Sequence, residues 1–491
     1  MPPGADWTGA PVPRTHRLRI PVDTADAFAA LFATGDAVWL DSGPDAETGR
    51  SVIGTGTRLA TASVAEGTVT VDGLSFDGSI LDALREGRAL REESAATAGY
   101  PLGWIGWLGY ETGAASLGVP YAAGPGLDAA FLYVDRLVVF DHADGTVTVL
   151  DATPEGAWLR EAVEVLGGAE GAAARYAAVH PVAAQEGAAP DGSATASDET
   201  AASDTPSAPT WRHSATAYLG MIAACQEAIR AGDAYQLCLT NTATATTTAD
   251  PLAVHLRLRR DSPAHHAGFL RMAGESLVSS SPEQFLLVTP DGQVRTKPIK
   301  GTRPRAATVA EDLRLRAELE ASEKEQAENV MIVDLMRNDL GRVCEVGSVG
   351  VRHLLEVESY AQVHQLVSTV EGRLRPGLTA VDALAAAFPA GSMTGAPKLS
   401  AMRILAGLEA GPRGVYSGCF GSLGADGSAD VAMVIRSLRF RDGVVTIGAG
   451  GGITALSVPE EELEEVSIKA AALFRAAGLR PPGNGPDPSN V

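Results

Sequence analysis

Cysteine is scarce in this 491-residue chain. Cys225, Cys238, Cys344 and Cys419 lie far apart and form no CxxC pair, so a zinc site or a thioredoxin-like redox centre has no pattern to rest on. Scattered free thiols suit a reducing cytosol, the expected location. Positive charge is also short: Lys and Arg number 39 against 60 Asp and Glu, a net charge of -21. That balance opposes non-specific binding to nucleic acid or to an anionic membrane surface. It leaves room for an anionic small substrate, because a local basic pocket or a metal can reverse the field at short range. Aromatic residues are 5% of the chain. No apolar run reaches the roughly 18 residues of a membrane helix, and no apolar segment behind a basic start marks a signal peptide.

What is present is a 45% apolar chain, enough for a large core, with an uneven layout. Residues 1–14 and 478–491 read as flexible Pro/Gly-rich tails. Residues 15–178 read as an α+β region, with strands in Arg17–Pro21, Thr68–Val71 and the apolar run Phe131–Phe140, and a helical pattern in Asp151–Ala178. Gly103–Glu111 (GWIGWLGYE) suits a strand or turn where backbones approach closely. Residues 179–212 are mainly Ala, Ser, Thr, Asp, Glu, Gly and Pro and read as a disordered linker, since so little apolar surface cannot offset ordering entropy. Residues 213–477 then alternate helices and strands, beginning with a helix over Ser214–Ala231 that Ser214 would cap.

Several constellations in the second half bear chemistry. Lys300, in Pro298-Ile299-Lys300-Gly301-Thr302, is flanked by apolar residues and a glycine that lets the backbone bend. A buried lysine tends to lose its proton and become a nucleophile; a solvated lysine in a basic turn is the plainer reading. Glu325 and Glu328 share one face of a helix over Ser322–Val343, and Glu462, Glu465 and Lys469 share a face over Pro459–Phe474. Such carboxylates fit a hard divalent ion or ordinary ion pairs equally well. Gly448–Thr454 (GAGGGIT) follows the strand-like Val444–Ile447, where free amides could converge on an anion. A Rossmann phosphate loop is excluded, because Thr454–Pro459 separates these glycines from the next helix. Phe388–Lys398 (FPAGSMTGAPK) offers hydroxyls and open backbone. His364 falls in a strand-like segment, and Arg436 in the apolar run Val431–Leu438 calls for an anionic partner.

In this order and spacing, these blocks resemble the chorismate-utilising enzymes. The matching stretches are DAYQLCLTN (233–241), SSPEQF (280–285), KPIKGTRPR (297–305), AENVMIVDLMRNDLGRV (327–343), VHQLVSTVEGRL (363–374), FPAGSMTGAPK (388–398), VYSGCFGSLGADG (415–427) and GAGGGITALSVPEEELEEVSIKA (448–470). Residues 15–150 resemble the family's N-terminal domain, with RSVIG (50–54) and GWIGWLGYE as weaker matches. The resemblance implies an α+β fold: a large two-sheet antiparallel β-sandwich with helices packed outside.

Within the family, Gln236 stands where water-adding members have a lysine base, which argues against isochorismate or salicylate synthesis. PIKGT, rather than PIAGT, resembles component I of aminodeoxychorismate synthase, as do Ser392, Thr394 and Tyr416-Ser417-Gly418, whereas Ala390 is closer to the anthranilate type. The implied reaction is amination of chorismate at carbon 4 through a Lys300 adduct. Carried over by position, Lys300, Glu283 and His364 would be catalytic, with Glu283 the general acid. Glu328 and Glu465 would hold Mg2+, supported by Glu325 and Glu462. Gln236, Thr302, Ser392, Thr394, Tyr416, Arg436, Lys469 and the amides of Gly450 and Gly452 would bind substrate. Val466 replaces a usual threonine beside the metal glutamate. Asp261–His266 departs from the segment that lines a tryptophan pocket, and Trp39–Ser42 keeps only part of the opposing wall. No cysteine has the context of a class I glutaminase, so ammonia is expected from a separate glutamine amidotransferase subunit. The alternatives are anthranilate synthase component I and a non-catalytic regulatory subunit of an amidotransferase complex.

Overall fold

In the computed structural model, residues 13–89, 102–183, 207–360 and 363–482 are described. Residues 1–12 and 483–491 of the expected tails, and residues 184–206 of the expected linker, lie outside them. The described residues form two twelve-stranded sheets in which neighbouring strands run antiparallel. The expected sandwich is therefore what forms.

Alternation along single strands explains the layering. In Ala129–Val134, Ala129, Phe131 and Tyr133 pack beneath the helices that cover one sheet. Ala130, Leu132 and Val134 point between the sheets, meeting Val38, Leu270 and Leu277 of the other sheet. A strand covered on both faces reads as unbroken apolar sequence, which is why Phe131–Phe140 looked like one strand. It is two, Ala129–Val134 and Arg136–Asp141, and they belong to different sheets. Helices Ala215–Ala231, Pro251–Asp261 and Pro459–Ala476 close the outer face of the first sheet, with Tyr218, Leu252 and Leu473 in that layer. Helices Glu323–Gly341 and Ala380–Ala387 close the second sheet through Ile332, Met336 and Leu384.

Both sheets draw strands from both halves of the chain. Ala37–Asp41 pairs with His266–Met272, and Gly103–Leu108 pairs with Cys419–Gly424. The division read from composition is thus a division of sequence that the sheets cross.

Local signals set the helix starts. Ser214 accepts the Ala217 N–H at 3.3 Å, and Ser322 caps the helix Glu323–Gly341 through Glu325. No helix among the described residues is long and apolar enough to cross a membrane.

Candidate active site

The strand Ile299–Pro304 runs beside Val363–Arg373, and its register slips between Lys300 and Thr302. Gly301 makes the slip, with φ +78°. A Cβ there would lie 2.7 Å from Leu319 Cδ1, on the helix Val309–Glu320, and 2.9 Å from Glu325 Cδ, so a larger residue would strain this backbone and push on the side chains of both helices. Helix Glu323–Gly341 is docked by Asn329, whose amide reaches the Pro298 and Leu366 carbonyls, both at 3.4 Å, and accepts from Ser368 Oγ. Asn329 is not among the residues that the sequence motifs single out. Its one signal is position, one residue past Glu328 on a face that must meet a strand.

Lys300 is thereby turned inward, 14% exposed, with Nζ 3.3 Å from Glu328 Oε2. Burial pulls its pKa down, but Glu328, Cys238 and Glu283 pull it up, and the result lies above the ordinary lysine value. The expectation that burial alone would free the amine is corrected: with these carboxylates around it, Lys300 rests as an ammonium. Glu283 is buried nearby, and burial pushes its carboxyl up to about 7 against the opposing pull of Lys300, a Ser392 hydrogen bond, Lys469 and Arg436. A carboxyl poised there can give a proton near neutral pH.

The glycine run is a strand rather than an anion-binding loop, a second correction. Val444–Ile453 pairs continuously with Gln236–Thr246. Ladder pairing at this length overrides glycine's weak strand preference. Function is still served, because Thr240 gives its N–H to Glu409 and Cys238 gives its N–H to the Thr394 carbonyl. Their partners Gly450 and Gly452 therefore turn N–H and C=O away from that neighbour. Beyond Ile447 no other strand covers this edge among the described residues. Lys469 Nζ meets the Gly450 carbonyl there at 2.9 Å. A Cβ on Gly452 would sit 2.2 Å from Gln236 Nε2 and 3.3 Å from both Glu328 Oε2 and Lys300 Nζ. The bare Cα of Gly452 thus opens the point where these three side chains converge. Gln236 is 1% exposed and its Oε1 has no hydrogen-bond partner among the described residues, an orphan acceptor that suits a ligand donor.

Two further groups await a partner. Arg436 lies between strands Ala429–Met433 and Ser437–Arg441, not within one, with φ +50°. Its guanidinium makes no hydrogen bond or ion pair among the described residues; burial lowers its pKa, with Glu283 the opposing charge. The Tyr416 ring packs on Gly448, where a Cβ would lie 2.1 Å from Tyr416 Cγ, and burial raises its hydroxyl's pKa.

Of the four helix glutamates, Glu328 and Glu462 are buried. Burial raises the Glu325 carboxyl and the neighbouring Glu328 raises it further, so negative charge is crowded here. Lysines offset it: Lys324 meets Glu462 at 3.1 Å and Lys469 meets Glu465 at 2.6 Å. Burial would raise Glu465, but Lys469, Lys324 and Lys300 hold it below the ordinary carboxylate value. Among the described residues no three His, Cys, Asp or Glu groups close on one point. Oxygen donors of this kind fit Mg2+, which takes one or two carboxylates and completes its shell with substrate and water.

Three expected residues are placed less directly. His364 is 2% exposed, but Nδ1 engages Ser359 Oγ at 2.8 Å and Nε2 engages Asp312 Oδ1 at 3.0 Å, so both nitrogens already have protein partners. Thr394 spends its hydroxyl on the Ala390 carbonyl at 3.1 Å. Thr302 pairs with Gln365 beyond the Gly301 slip. Ser392, in contrast, reaches Glu283.

The family described as chorismate binding enzyme matches residues 35–475. The chain belongs to it. The aminodeoxychorismate synthase of Streptomyces griseus is 42% identical over 94% of this chain and 64% of its own length. Anthranilate synthase component 1 of Streptomyces coelicolor is 41% identical over 76% of this chain and 72% of its own. Among solved structures, anthranilate synthase component I from Streptococcus pneumoniae aligns with a TM-score of 0.69 at 29% identity, covering 87% of this chain and 92% of that one. The chain spans less than two thirds of the length of the Streptomyces griseus relative. In this chorismate-binding enzyme, Val466, the departure beside Glu465, faces the helix-side core.

Proposed function

We propose that this chain aminates chorismate at carbon 4 to give 4-amino-4-deoxychorismate. The observation that carries the reading is the convergence of Lys300, Glu328 and Gln236 on the bare Gly452. A lysine that can reach the ring distinguishes amination at carbon 4 from amination at carbon 2. As the free amine, Lys300 Nζ bonds to ring carbon 2, the double bonds shift, and the carbon 4 oxygen leaves as water with the Glu283 proton. Ammonia then bonds to carbon 4, the double bonds shift back and the carbon 2–Nζ bond breaks. The proton that ammonia sheds restores Glu283. The enolpyruvyl ether is untouched.

The ammonium state of Lys300 depends on Glu328; once that carboxylate is engaged elsewhere, burial favours the free amine. Glu328 and Glu465 would hold Mg2+, which supplies positive charge for the ring carboxylate. Arg436, Tyr416, Lys469 and the outward amides of Gly450 and Gly452 would receive the enolpyruvyl carboxylate. Gln236, with no titratable base to offer, would hydrogen-bond the ring substituents rather than activate water. Ammonia would come from a glutamine amidotransferase. In support, all four cysteines are buried free thiols whose pKa values burial raises, to about 12 for Cys225 and about 11 for Cys344, the reverse of an activated nucleophile.

The Streptomyces griseus relative carries the aminodeoxychorismate synthase name over nearly the whole of this chain, which favours this reading over the anthranilate one. Mass spectrometry of the product from chorismate, Mg2+ and ammonium tests it. Retained enolpyruvate is expected; released pyruvate with anthranilate would overturn it.

A further inference from the structure

Arg413 lies in the turn before Tyr416, and its side chain is 1% exposed. All five of its N–H groups are used. Nε and Nη2 clamp Glu409 at 2.8 and 2.7 Å. Nη2 also gives to the Cys238 carbonyl at 2.8 Å, while Nη1 gives to the Met393 carbonyl at 2.6 Å and to Ser417 Oγ at 3.3 Å. The guanidinium lies over the Tyr110 ring, 4.3 Å from its centroid. Glu409 in turn accepts the Thr240 N–H and hydroxyl, both at 2.9 Å. Behind the turn, Glu111 takes the Arg413 N–H at 2.8 Å and the Gly414 N–H at 3.0 Å.

The partners are informative because each adjoins a residue of the site. Cys238 shares an inward-facing row with Gln236, two residues away on the same strand. Met393 follows Ser392, which bonds Glu283. Ser417 follows Tyr416 and holds φ +65°. One cation therefore ties together three segments, one of them 175 positions upstream, that present the orphan amide, the acid's hydrogen-bond donor and the ring against Gly448. A buried ion pair is poor evidence of net stability, since desolvation offsets much of its attraction. Its value lies in geometry, because a planar fork with five fixed donors admits few arrangements.

We propose that Arg413, clamped by Glu409 and seated by Glu111, is a positioning residue that sets Ser392 against Glu283 and Tyr416 against the glycine strand. It touches no substrate and acts through those residues. The inference rests on the chorismate amination proposed above, and product identity from the unaltered protein checks that reading separately.

The test is a double-mutant cycle on the full chain with chorismate, Mg2+ and ammonium, at a pH below the alkaline limb of the reaction. Arg413→Lys keeps the charge but loses the fork. It is expected to lower kcat about 100-fold, the scale of a roughly 1 Å misplacement, while chorismate binding measured by calorimetry changes less. Ser392→Ala is expected to cost much less in the Arg413→Lys background than in the unaltered protein, because its alignment is already lost. Unchanged kcat in a folded Arg413→Lys protein, or costs that simply multiply, would overturn the proposal. If Arg413→Lys fails to fold, Glu111→Gln carries the same cycle: it keeps the shape but loses one of two acceptors, and the same two outcomes decide. An unaltered protein that makes no aminodeoxychorismate defeats the functional reading, whereas a working one indifferent to Arg413 and Glu111 defeats this inference alone.

Discussion

Two arginines, 23 residues apart, are treated in opposite ways: Arg413 is buried and Arg436 half-buried. Arg413 has every N–H paired within the protein. Arg436 has no hydrogen bond or ion pair from any described residue, and burial lowers its pKa. A cation taken from water without a partner is costly, so the fold carries the cost at Arg436 and avoids it at Arg413. The difference separates architecture from recognition: charge that the protein satisfies itself fixes geometry, and charge it leaves unsatisfied fits an anion from outside. Lys300 stands between them, paired with Glu328 by one contact of 3.3 Å, a hold that substrate can replace.

The largest effect that would break this comparison is at Lys300. Lys300→Ala should abolish formation of 4-amino-4-deoxychorismate while leaving the melting temperature within a few degrees; full activity in that variant would end the covalent proposal. Glu328→Ala should follow, with activity lost and the response to Mg2+ lost with it. A variant whose residual turnover still titrates with Mg2+ would reassign the metal.

The arginine pair itself is sharpened by stability. Arg413→Met strands Glu409 as an unpaired buried charge and should cost about 3–5 kcal/mol in urea unfolding. Arg436→Met removes a charge that has no protein partner. It should leave the urea midpoint nearly unchanged or higher, while the KM for chorismate rises about 100-fold, near 3 kcal/mol. Equal losses of stability in the two variants would erase the distinction drawn here.

Sequence carried more of the site than of its surroundings. Helix starts were legible because Ser214 and Ser322 act on neighbours three residues away. The family blocks placed Lys300, Glu283 and the helix glutamates for the same reason: each block is a local pattern. What stayed hidden is long-range. Arg413 reads as an ordinary turn residue, and its partner Cys238 lies 175 positions upstream. The strand character of Gly448–Gly452 comes from pairing with Gln236–Thr246, which no local propensity encodes. His364 sits in a recognisable block on a strand, but its partner Asp312 belongs to the helix Val309–Glu320. The protonation of Lys300 is not legible locally, because burial shows in the flanking residues while the opposing Glu328 arrives from the helix Glu323–Gly341.

The smallest predicted effect probes how one hydrogen bond tunes the acid. Glu283, pushed up to about 7 by burial in the free protein, must be protonated to give its proton, so kcat/KM should fall as pH rises through about 7. Lys300, Lys469 and Arg436 all favour its charged form, and so does the Ser392 hydrogen bond. Ser392→Ala removes only the last of these. With the charged form less favoured, the pKa rises and the alkaline limb moves to higher pH. One hydrogen bond of about 1 kcal/mol corresponds to about 0.7 of a pH unit. A limb that stays fixed, or moves to lower pH, would show that the limb reports some other group and that Glu283 is not the proton donor.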